Sequence, residues 1–146
     1  MGGQPNGYRF RLDNRTEPTF INWAQAVKAQ AAEVGINVDI GTGEQVKMIS
    51  DLRAGNFEMQ TGRGTSGIDP GSYLFQIYHT KGGDNNARYS NPKFDELVDQ
   101  ANSLYDMKDR LPFIKQADEM TTQDVPFFYQ HYELEDALYY PRVKNY

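Results

Sequence analysis

Gly62-Arg63-Gly64-Thr65-Ser66-Gly67 is the stretch whose residue types and spacing most directly suggest chemistry. Three glycines leave backbone N–H groups open to a ligand, and Thr65 and Ser66 add hydroxyls. Arg63 adds a planar fork of donors suited to a carboxylate or phosphate. The run Phe57 to Thr61 before it reads as a short strand. Asp69-Pro70 after it supplies a cap and a first-turn proline that open a helix. That order sets the loop at the carboxyl end of a strand, where open α/β sheets bind small ligands. The spacing fits G-x-G-x-x-G, but a dinucleotide fingerprint belongs to the first strand and opens its helix directly. Here the loop follows the third strand, Ile68-Asp69-Pro70 intervenes, and no acid is placed for a ribose. The Lys-Ser/Thr ending of a P-loop is absent too. A polar ligand loop is the better reading, with Arg63 weighed between a clamp and a solvated charge. Asp69 reads as a structural cap.

Other chemistry finds less support. His79 and His131 stand alone, with no second histidine at metal-ligand spacing, so both read as hydrogen-bonded or exposed. Ser66 has no nucleophile elbow around it. Asp95-Glu96 and Asp118-Glu119 are adjacent on helices and do not face each other, which makes them solvated faces rather than acid–base pairs. No catalytic constellation and no cofactor is expected. The tract Phe127, Phe128, Tyr129, His131, Tyr132, Tyr139 and Tyr140 divides by alternation between core and either an aromatic ligand wall or a face that meets another domain.

These groups need a frame. The chain has 146 residues, enough for one domain with a real core. Its mean hydropathy of -0.74 is low, but 13% of residues are aromatic, which argues against disorder. A net charge of -5 without a basic stripe argues against a nucleic-acid partner. No cysteine is present, so disulfides and thiolate sites are excluded. No apolar run is long enough to span a membrane. Met1 to Gly7 reads as a turn-forming leader, and an excised piece of a longer protein is expected.

Tyr8 to Leu12 alternates as a strand. Phe20, Trp23, Ala24, Val27, Ala31 and Val34 form one helical stripe closed by Gly35. Ile36, Val38 and Ile40 form a second strand. Val46, Ile49 and Leu52 mark a short helix ended by Gly55, and Phe57 to Thr61 is the third strand. This βαβαβ order predicts a parallel sheet with right-handed crossovers. Further helices are expected over Pro70 to Tyr78, from Asn91-Pro92 through Phe94, Leu97, Val98 and Ala101, and through Leu111, Ile114, Ala117 and Met120. Val125 to Gln130 reads as a C-terminal strand.

Several pieces in order resemble one family. Gly35-Ile36-Asn37-Val38-Asp39, Leu52-Arg53-Ala54-Gly55-Asn56-Phe57-Glu58-Met59 and Asp69-Pro70-x-x-Tyr73-Leu74 are three of them. Tyr89-Ser90-Asn91-Pro92-x-Phe94-Asp95-x-Leu97 and Asp124-Val125-Pro126-Phe127-Phe128 complete the set. Together they resemble the C-terminal lobe of the peptide/nickel-type (cluster C, family 5) extracytoplasmic solute-binding proteins of ABC transporters. The likeness covers nearly the whole chain.

The resemblance implies a type II periplasmic-binding-protein-like α/β lobe, with a βαβαβ parallel core, helices on both faces and a C-terminal strand. It also implies a non-enzymatic role in solute import. Residues 1–7 would then be leader, 8–138 a single ligand-binding lobe excised from a two-lobed protein, and 139–146 a polar aromatic tail near the interlobe crossing. Arg63, Gly64, Thr65, Ser66, Tyr73 and Gln130 would face a cleft.

Peptide-binding relatives typically read G-W-x-x-D at this loop, where Arg63 and Ser66 replace the tryptophan and the acid. A hydroxyl cannot neutralise a buried ammonium. The loop therefore disfavours a free peptide amino terminus, and the expected solute is polar: an anionic one such as an opine, sugar acid or sugar phosphate, or an oligopeptide-like one. The implied partners are that solute, the missing N-terminal lobe and a transporter permease, with self-association through the exposed interlobe face. Two alternatives stay open. One is a free-standing α/β enzyme holding a phosphorylated cofactor on the Gly62–Gly67 loop; the other is an isolated piece that folds without binding.

Overall fold

The computed structural model describes residues 7–62 and 67–129. β1 (Tyr8–Arg15), α1 (Pro18–Glu33), β2 (Ile36–Gly43), α2 (Gln45–Ala54) and β3 (Met59–Gln60) make the first half. α3 (Pro70–Tyr78), α4 (Pro92–Ser103) and α5 (Met107–Asp124) make the second. The sheet has the order β2-β1-β3 and both pairings are parallel. The expected α/β core is therefore present.

The register sets Phe10 beside Val38 and Leu12 beside Ile40 and Met59. Alternation then puts these apolar residues on one face, where α1 covers them. Leu12, Ala24 and Val38 are buried there, with Trp23, Val27 and Ala31 packed around them. The α1 stripe foreseen from periodicity is this contact, except at its end, where Val34 lies past the helix and is exposed. Gly35, at φ 79, ends the helix in the left-handed region.

The opposite sheet face is charged. Arg9 bonds Asp39 at 2.6 Å and Arg11 bonds Asp13 at 2.7 Å. Gly41 makes room for the second pair: a Cβ there would lie 2.3 Å from Asp13 Oδ1 and 2.6 Å from an Arg11 nitrogen. α2 lies on this side, anchored where Gln60 Nε2 donates to the Met48 carbonyl at 2.9 Å.

β3 is shorter than its expected span, Phe57 to Thr61. The Glu58 carboxylate itself accepts the Arg11 backbone N–H at 2.6 Å, taking a place that a strand carbonyl would fill. Thr61 still donates its N–H to the Asp13 carbonyl at 3.0 Å, so the chain keeps its direction beyond the assigned strand.

The helical half has its own core of Leu74, Tyr78, Phe94, Val98, Ala101 and Ala117, among others. The α4 stripe is buried as its spacing requires. Asn91 caps α4, accepting from the Lys93 and Phe94 N–H groups. α5 begins a turn earlier than the stripe implied, after Asp106, and runs through Pro112. Leu111, placed on the buried stripe by its spacing, is exposed.

Residues 125–129 do not form the start of the expected strand. Val125 leaves α5 at φ 46, and Phe127 turns its ring edge-on to Tyr78 with centroids 5.4 Å apart. The aromatic burial that suggested a strand is spent on the helical core instead. Arg88 ties the halves together by donating to the Ala54 carbonyl at 2.9 Å.

Candidate functional site

β1 and β3 run parallel toward one edge of the sheet, and Thr61 and Gly62 leave it toward α3. Strand, loop and helix thus follow in the order expected of a ligand edge. Arg63, Gly64, Thr65, Ser66 and Gln130 lie outside the described residues, as does His131. At the root of the loop, Thr61 donates its hydroxyl to Asn14 Oδ1 at 2.6 Å. Both residues are buried, and Asn14 Nδ2 meets no partner among the described residues.

Tyr73 is half-buried on α3. Its hydroxyl lies 3.0 Å from that of Tyr129, and its ring meets Tyr78 edge-on at 6.5 Å. Tyr78 and Tyr129 also share a hydroxyl–hydroxyl bond. Burial pushes the Tyr78 phenol up, which keeps its hydroxyl protonated, able both to donate and to accept. The structure therefore joins Tyr73 to the residue just before Gln130. Sequence spacing gave no signal for Tyr129 as its partner beyond membership of the aromatic tract.

Asp69 is the α3 cap, accepting from the Ser72 N–H at 2.8 Å. Arg110 grips it with both terminal nitrogens at 2.8 Å. Arg110, then Ser72, hold the Asp69 carboxyl far below the usual carboxylate range. Arg110 also donates to the Ala101 carbonyl at 3.0 Å, so one side chain fastens α3, α4 and α5. The structural reading of Asp69 holds. Its partner was not foreseen, because nothing local marks a lone arginine 41 positions away.

His79 is buried and stacks on Phe75 with centroids 4.3 Å apart. Its Nδ1 accepts the Lys81 N–H at 2.9 Å, which assigns the ring proton to Nε2. Nε2 faces Asp99 at 3.4 Å and Asp95 at 3.8 Å. A nitrogen carrying its proton toward carboxylates is not a metal ligand. No group of three ligating side chains converges among the described residues.

A cavity of about 540 Å³ lies between α2 and the charged sheet face. Arg11, Asp13, Lys47, Asp51, Glu58 and Gln60 contribute its polar lining, with Met48 and Phe57 as apolar patches. Lys47 pairs with Asp51 one turn along α2. No sequence motif announced this cavity, because it draws on four separate elements.

The parallel sheet with helices on both faces is an α/β fold of the periplasmic-binding-protein type II class. No family model matches the chain. The nickel-binding protein NikA of Staphylococcus aureus is 27% identical over 135 residues, covering 92% of this chain and 27% of that protein. HbpA2 of Haemophilus parasuis superposes with a TM-score of 0.77 at 26% identity, over 84% of this chain and 26% of that one. The ABC transporter-associated protein DppA of Helicobacter pylori, in complex with the peptide STSA, gives a TM-score of 0.75 at 24% identity, over 84% and 25%. These relatives are peptide/nickel-type, family 5 substrate-binding proteins of ABC transporters, not enzymes; this chain is similar to them and spans about a quarter of their length.

Proposed function

We propose that this chain is the C-terminal lobe of an extracytoplasmic solute-binding protein and supplies half of a cleft for a polar small solute. The likeness to the nickel-binding protein NikA of Staphylococcus aureus over 92% of the chain carries this reading. The described edge geometry is consistent with it, since Thr61, Gly62 and the start of α3 stand where a ligand loop is needed. A second lobe and a transporter permease are its natural partners. When the lobe is alone, its exposed face would self-associate; Phe128 and Tyr129 are 65% and 60% exposed.

A short peptide is the favoured solute, in line with the peptide held by DppA. Arg63 then serves the carboxylate end of the solute, with Gly64, Thr65 and Ser66 offering backbone and hydroxyl donors. Tyr73 and Gln130 complete this side. A purely anionic solute such as a sugar phosphate is the second reading, favoured by Arg63 and Ser66 standing at the tryptophan and acid positions.

In the full-length protein, Arg63→Ala should weaken tripeptide binding at least about tenfold by calorimetry, the worth of one charge-assisted contact. Unchanged affinity would remove Arg63 from the site. A higher affinity for sugar phosphates than for peptides would favour the second reading.

A further inference from the structure

We propose that His79 is an acid-responsive latch on the connection between α3 and α4, closed while its ring is neutral and opened when the ring takes a second proton. The ring sits where three pieces of chain meet. It caps the C-terminus of α3, stacks on Phe75 and is only 2% exposed. Its Nδ1 accepts the Lys81 N–H at 2.9 Å. The His79 carbonyl accepts the Gly82 N–H at 2.7 Å and Asn85 Nδ2 at 3.1 Å. One residue thus closes the turn that leads from α3 into residues 80–91.

The other ring nitrogen faces acids. Nε2 lies 3.4 Å from Asp99 Oδ1 and 3.8 Å from Asp95 Oδ1, both on α4. It is enclosed, yet it makes no aligned hydrogen bond among the described residues. Buried polar groups are normally paired, so this exception asks for a reason. The charge of a doubly protonated ring would turn the loose approach into an ion pair. The other neighbours leave that pairing open. α3 presents the neutral Phe75 ring, Lys81 is exposed, and the Asp84 carboxylate accepts from Gln76 Nε2 at 3.0 Å.

The two nitrogens make conflicting demands. The Lys81 bond needs the Nδ1 lone pair, which exists only while the ring is neutral. A second proton must go to Nδ1, because Nε2 already holds one. Two N–H groups then point at each other across 2.9 Å, and Lys81 has to leave. Protonation exchanges a loop bond for an ion pair with α4, a local charge change read out as a backbone movement. Thr80 is drawn in as well, because its N–H donates to the same Asp95 Oδ1 at 3.0 Å. Arg88, further along the loop, holds the Ala54 carbonyl at 2.9 Å, so a loop released at Lys81 pulls on the tie between the two halves.

The test is an NMR titration of this chain from about pH 8 to about pH 5, across the ordinary histidine range, following the His79 ring nitrogens and the backbone amides. At the neutral end the ring should carry its proton on Nε2. On acidification the Lys81 and Gly82 amide protons should move upfield in step with protonation of the ring. His79→Asn offers Lys81 an oxygen in place of Nδ1 but cannot titrate, so it should keep the loop shifts and lose their pH dependence. Asp99→Asn removes the nearer acid, which makes the ring harder to protonate and should move the Lys81 transition to lower pH. Amides that stay fixed while the ring titrates overturn the proposal. A ring that stays neutral throughout, or a Lys81 transition that survives His79→Asn, does the same. Should His79→Asn fail to fold, Asp99→Asn decides alone, and an unmoved midpoint there removes the latch.

Discussion

At the residue scale, the motif residues and the chemistry separate. Asp69 with Arg110, and Tyr89 with Asp124, hold the frame rather than a ligand. Arg110→Ala should cost about 1–3 kcal/mol in denaturant unfolding, since it strands a capping carboxylate and frees three helices. Asp69 has its pKa lowered by folding, so its contribution is present above the unfolded value near about 4 and is lost as pH falls below it. Unfolding measured at decreasing acidic pH should lose stability in the parent chain, and Asp69→Asn should flatten that loss. Tyr89 behaves in the opposite sense. Burial, then its bond to Asp124 at 2.6 Å, pushes the phenol up to about 12. Its contribution is complete below the unfolded value near about 10 and is lost as pH rises from there toward the folded value. Ultraviolet difference titration against Tyr89→Phe should assign the most alkaline phenol to this residue.

At the element scale, what could be read in the sequence is what local chemistry dictates. α3 and α4 start where Asp69-Pro70 and Asn91-Pro92 place them, because a cap and a first-turn proline act within a few residues. β1, α1 and β2 follow from periodicity. The misreadings have distant causes. β3 shortens because Glu58 replaces a ladder bond, the turn before Leu111 joins α5 despite Pro112, and after Val125 Phe127 packs on the helical core while Phe128 and Tyr129 stay exposed, instead of forming a strand. The candidate site divides in the same way. The loop was visible as glycines and hydroxyls, while the cavity needed Arg11, Lys47 and Gln60 to be brought together by three elements. Close approach also decides Gly82, where a Cβ would lie 2.3 Å from the Phe75 carbonyl and 2.5 Å from that of Gln76. Gly82→Ala should therefore destabilise the α3–α4 connection by about 1–3 kcal/mol in thermal or denaturant unfolding, as overpacking against backbone does.

At the scale of the whole molecule, two small cores lie side by side. One is built on the sheet and α1, the other on α3, α4 and α5. The segment leading from β3 to α3 joins them, and the proposed ligand loop belongs to that segment of the sequence. The chain spans about a quarter of the length of its relatives, and the one-sided cleft is the proposal made above. The central claim is that the edge from Met59 to Leu74 is one wall of that cleft. Hydrogen exchange of the full-length protein, with and without saturating tripeptide, tests it most directly. Exchange across residues 59–74 should slow on binding. Tight binding with exchange unchanged there and slowed only elsewhere would contradict it.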